Sequence, residues 1–78
     1  MRVSVRLNGP MATLLGPRRE LELADGARVG DLLRALTDQA GVAGAPGLAV
    51  SIDGTIVDAG RQLAEGDQVA VLAPVAGG

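Results

Sequence analysis

Residues 63–78 read "LAEGDQVAVLAPVAGG", and the way this run divides decides the fold. Val69 and Val71 alternate with Gln68, Ala70 and Leu72, the period-two pattern of a strand with one buried face. Glu65-Gly66-Asp67 ahead of it is turn chemistry, and Pro74 behind it ends the strand because proline donates nothing to a ladder. The opening residues 1–7, "MRVSVRL", alternate in the same way, with Met1, Val3, Val5 and Leu7 on one face and Arg2, Ser4 and Arg6 on the other. Parallel pairing of these first and last strands requires a long crossover. The chain offers one in "VGDLLRALTDQA", 29–40. There Val29, Leu32, Leu33, Leu36 and Ala40 recur at helical spacing, Asp31 sits in the first turn where the dipole favours an anion, and Gly41 supplies a left-handed stop. The last strand is then central, and the tail leaves from the middle of the sheet.

The other segments fill in around that pair. "GPMATLLGP", 9–17, is bracketed by Gly-Pro steps and reads as a loop whose Leu14 and Leu15 tuck under the sheet. "RRELELA", 18–24, sets Leu21 and Leu23 inward against Glu20 and Glu22, a second strand antiparallel to the first. In "PGLAVSIDGTIV", 46–57, Leu48, Val50 and Ile52 share a face, Asp53-Gly54 is the pair favoured for a tight hairpin, and a short strand with Ile56 follows. The order β-β-α-β-β-β predicts an α+β layer: a mixed sheet of four to five strands with one amphipathic helix packed on one face.

Composition narrows the chemistry. A chain of 78 residues buries only about 60% of its unfolded surface, so one modest core is expected. Phe, Trp, Tyr, Cys and His are all absent, which leaves Leu, Val, Ile and Ala to build it. Without Cys there is no disulfide or thiolate, and without His the commonest general base and metal ligand are missing. Asp53, Asp58 and the Glu65-Gly66-Asp67 run read as turn residues, and "GVAGAPG", 41–47, has no Lys, Ser or Thr with which to cradle a phosphate. Gly30, inside the first helical turn, implies close packing or fraying. The net charge is -2 and no aromatic side chain offers base stacking, which argues against nucleic acid. No apolar run approaches the ~18 residues of a membrane span, so a soluble, cytoplasmic protein is expected.

The one unusual functional group is the Gly78 α-carboxylate. At a usage of ~7%, two terminal glycines arise by chance in roughly one chain in 200. Here they end a graded tail: Pro74 and Val75 are stiff, and Ala76, Gly77 and Gly78 shrink to bare backbone, a shape suited to a narrow channel. The expected organisation is a domain over 1–74 and a flexible tail over 75–78. A carboxylate is a poor electrophile, so acyl chemistry at Gly78 requires activation by a partner.

Three stretches, "VGDLLRAL" (29–36), "VSIDGTIVD" (50–58) and "LAEGDQVAVLAPVAGG" (63–78), resemble the bacterial ubiquitin-like sulfur carriers of the β-grasp fold. These are the molybdopterin synthase small subunit and the thiamine- and cysteine-pathway carriers. The last stretch is the most specific, and is closest to the molybdopterin subunit. Ala73 stands where that pattern commonly has Pro. The resemblance implies a non-enzymatic carrier that binds no cofactor of its own. Its partners would be an ATP-using, ubiquitin-activating-type adenylyltransferase, a sulfurtransferase, and a downstream synthase such as the molybdopterin synthase large subunit. Gly78 would bear the thiocarboxylate, Gly77 would thread the channel with Ala76, Val75 and Pro74 behind it, and Leu72 would contact the partner. Leu72, out of phase with Val69 and Val71, falls on the open face beside Arg2 and Arg6, a patch suited to an activating enzyme with an acidic rim. The same tail would serve a ubiquitin-like modifier attacked at Gly78 by a lysine of a target protein, and an interaction module with an incidental tail is the third reading.

Overall fold

The computed structural model describes residues 1–41 and 48–72. Its elements run β1 (Arg2–Leu7), α1 (Gly9–Leu15), β2 (Arg18–Glu22), α2 (Val29–Ala40), β3 (Ala49–Ile52), β4 (Thr55–Val57) and β5 (Gln68–Leu72). The five strands form one mixed sheet in the order β2-β1-β5-β3-β4. β1 and β5 are parallel, with Val5 opposite Val69 and Leu7 opposite Val71, and the other pairs are antiparallel. This is the ubiquitin-like β-grasp, with the last strand central as its pairing requires.

Alternation sorts the sheet into two faces. Val3, Val5, Leu21, Val50, Ile52, Val69 and Val71 are buried beneath Val29, Leu32 and Leu36 of α2. Met11 joins this cluster, so a flexible thioether, not aliphatic residues alone, fills the end of the core. On α2 the buried stripe is narrower than the sequence predicts. Leu33 is only partly buried at its margin, whereas Thr37 is buried and donates its hydroxyl to the Arg34 carbonyl at 3.0 Å.

Residues 9–15, expected as a loop, are helical, so among the described residues the sheet carries two helices. The Gly-Pro steps are helix signals. Pro10 sits in the first turn, where an amide has no helical acceptor in any case, and Gly16 stops the helix at φ 91° while its N–H donates to Ala12 O at 2.7 Å. Met11 turns into the core and Leu15 packs at its edge, but Leu14 stays 54% exposed.

The start of α2 is fixed by the 58–63 loop. Val29 N–H donates to Arg61 O and Gly30 N–H to Ala59 O, each at 2.9 Å, while the Arg28 N–H donates to the Asp31 carboxylate at 2.9 Å. Gly30 is packed, not frayed: besides its bonded amide, a Cβ there would stand in van der Waals contact with Ala59 O at 3.4 Å. The Asp53-Gly54 hairpin has positive φ at both residues, 51° and 85°, as a two-residue turn of the primed type requires.

Leu36→Ala should cost ~2–5 kcal/mol, a large share of the ~5–15 kcal/mol of a small domain, and Leu33→Ala less than half as much. Urea unfolding measures both; equal losses would contradict the assigned face of α2.

Candidate functional site

The tail residues Pro74, Val75, Ala76, Gly77 and Gly78 lie outside the described residues, as does the boundary between the domain over 1–74 and the tail over 75–78. What the structure defines is their root. β5 has β1 on one side and β3 on the other, and its buried Val69 and Val71 lock it to the core, so Leu72 ends a strand held from both flanks.

Leu72 points away from the helices and is half-buried, opposite Ala49 of β3. Arg6 is opposite Ala70, one step diagonal to Leu72, so these two share a neighbourhood. Arg2 does not. Parallel strands start together, so Arg2 sits beside Gly66, whose N–H donates to Arg2 O at 3.0 Å, about 13 Å along β1 from Arg6. Its guanidinium is engaged there by Glu22 at 3.3 Å and Glu20 at 3.8 Å.

Two residues of this face escaped the sequence reading. Register places Arg18 of β2 directly opposite Arg6, and Ile56 of β4 opposite Ser51. One cross-sheet row therefore reads Arg18, Arg6, Ala70, Ser51, Ile56, with a residue from every strand. Ile56 is 62% exposed at its end. The in-phase spacing of Arg18 with Glu20 and Glu22 was a usable signal, but facing Arg6 depends on a pairing register that no single strand encodes. Along this face runs a groove of about 580 Å³ lined by Ser4, Arg6, Arg18, Glu20, Asp53 and Ala70 among others.

The carboxylates have structural partners. Asp58 accepts the Gly60 N–H at 2.9 Å, Asp67 the Ala64 N–H at 2.8 Å, and Glu65 the Arg2 N–H at 3.0 Å. Among the described residues, no group of three or more His, Cys, Asp or Glu is placed to hold a metal ion. The candidate site is therefore the open sheet face around Leu72 and Arg6.

The ThiS family matches residues 5–78, nearly the whole chain and through the final glycine. The chain belongs to the ThiS family. The resemblance carried by residues 29–36, 50–58 and 63–78 is thus borne out at the level of the family. No curated protein matches this ThiS-family chain significantly. Among solved structures, a Pyrococcus furiosus protein assigned as subunit 1 of molybdopterin converting factor is 28% identical, with TM-score 0.82 over 96% of this chain and 99% of that one. A chain from the complex of subunits 1 and 2 of the Helicobacter pylori molybdopterin-converting factor is 26% identical, with TM-score 0.59 and 100% of both chains covered. SAMP1 of Haloferax volcanii, 24% identical with TM-score 0.81 over 100% of both chains, shows the shared fold.

The central position of β5 predicts that amide exchange is slowest in Val3 to Leu7 and Val69 to Val71. Exchange in β5 as fast as in the edge strand β4 would contradict a rigid root for the tail.

Proposed function

We propose that this ThiS-family chain is a sulfur carrier whose Gly78 carboxylate is the group acted upon. The observation that carries the reading is the family match reaching residue 78, and the anchoring of β5 supports it. The carboxylate attacks the α-phosphate of ATP on a ubiquitin-activating-type adenylyltransferase, releasing pyrophosphate and leaving an acyl adenylate. A sulfide equivalent from a sulfurtransferase then attacks the carbonyl, AMP departs, and the product is a C-terminal thiocarboxylate. Glycine has no Cβ to obstruct that attack. With no Cys or His, the chain supplies the acyl group and the partners supply the catalysis and the sulfur.

Sulfur then passes to an acceptor on a downstream synthase. The Helicobacter pylori chain is seen in a complex of subunits 1 and 2 of molybdopterin-converting factor, which supports a larger synthase subunit as partner and molybdopterin as the product pathway. Leu72, with Arg6 beside it, is the docking contact nearest the tail, while Arg2, engaged by Glu20 and Glu22, contributes at the margin of the face. No helix among the described residues is long and apolar enough to cross a membrane, in keeping with partners in the cytoplasm.

ATP–pyrophosphate exchange with the activating enzyme, followed by intact mass after sulfur transfer, tests the reading. The expected product has one oxygen exchanged for sulfur; isopeptide adducts on target lysines would instead make the chain a modifier. Deleting Gly78 sets the carboxylate back by up to ~3.3–3.6 Å, and a misplacement of ~1 Å costs on the order of 100-fold in rate. The deletion, and equally an added residue after Gly78, should abolish activation. Normal activation of both would overturn the carrier reading. Leu72→Asp should raise the KM for the carrier while leaving the unfolding midpoint near that of the parent; an unchanged KM would move the contact elsewhere.

A further inference from the structure

Arg6 and Arg18 stand directly opposite each other in the antiparallel β1–β2 pair, both exposed, an arrangement in which like charges repel. Among the described residues neither guanidinium has a hydrogen bond or an ion pair. The other sheet arginines are engaged: Arg2 by Glu20 and Glu22, and Arg19 by Gln39 Oε1 at 2.9 Å and Leu15 O at 3.2 Å. The acids of the same groove do not relieve the pair, since Glu20 lies 3.8 Å from Arg2 and Asp53 occupies the β3–β4 turn. An unrelieved pair of cations thus flanks a strip of Ala70, Leu72, Ala49 and Ile56 on the open face of the sheet.

We infer that Arg6 and Arg18 together read a carboxylate on the enzyme that activates the tail. An Asp or Glu side chain, on an acidic segment with apolar neighbours, is held between the two guanidiniums while those neighbours cover Leu72 and Ile56. The inference rests on the carrier reading and adds to it Arg18 and the chemistry of the partner's contact. Charge complementarity selects this occupant: a carboxylate converts the repulsion of the free protein into two charge-assisted contacts, and a planar guanidinium suits that geometry. The pair is then a place where stability of the free domain is sacrificed to binding.

The test uses the full chain, with Arg18→Glu as the principal variant and Arg34→Glu as a control carrying the same charge change on the exposed face of α2. Arg18→Glu should raise the KM for the carrier in ATP–pyrophosphate exchange on the order of tenfold, as loss of electrostatic steering does, leave kcat near the parent's, and flatten the dependence of KM on salt. It should also raise the melting temperature, because Glu at 18 faces Arg6 with opposite charge. Arg34→Glu should leave KM unchanged. An unchanged KM for Arg18→Glu with an active parent, an equal effect of Arg34→Glu, or a lowered melting temperature would each overturn the inference. So would a parent dimer that Arg18→Glu dissociates, since the occupant would then be a second copy. A parent that is not activated at all would overturn the carrier reading, and the inference with it.

Discussion

The parallel pairing of β1 with β5 is the contact on which the rest of the structure depends. Parallel neighbours cannot be joined by a tight turn, so the chain between them must cross over, and α2 makes that crossing over one face of the sheet. The pairing buries Val5 against Val69 and Leu7 against Val71 beneath the helices. It also sets β5 between β1 and β3, so that strand is held along both edges. A tail that leaves from such a strand has a fixed origin. A carboxylate that must reach a partner's reaction centre needs that origin more than it needs affinity of its own.

The two faces of the sheet have been given different work. One is sealed by α1 and α2 over an aliphatic core with Met11 in it and Met1 packed against it, and the start of α2 is tied down by backbone bonds to the 58–61 loop as well as by packing. Gly30 belongs to that tie, because its amide donates to Ala59 O at 2.9 Å. Among the described residues the other face carries no helix. There the polar residues of β1 and β2 meet the small and apolar residues of β5, β3 and β4 along continuous rows.

Electrostatics divides that open face again. At the start of β1, Arg2 is balanced by Glu20 and Glu22; four register positions further, Arg6 meets Arg18 with no acid between them. The contrast lies within one pair of strands at similar exposure, so it comes from which side chains the register sets opposite each other. It matters for the proposed carrier role, in which surfaces of a chain with no Cys or His bring partners to Gly78.

By itself the sequence determined the elements that rest on local periodicity and turn chemistry. The alternation of β1, β2 and β5, the helical stripe of α2, the Asp53-Gly54 hairpin and the graded tail are written in neighbouring residues, and with the motif at 63–78 they were enough for the fold and the family. Where local signals are ambiguous the sequence misled: Gly-Pro steps open and close helices as well as loops, and only the burial of Met11 shows which happened at 9–15. The tertiary structure alone decided what faces what. Arg2 was expected beside Leu72 and lies at the far end of β1, and Arg18, unremarkable in its own strand, confronts Arg6. A strand's alternation fixes which face a side chain joins, but its position along that face is set by register, which is a property of two strands together.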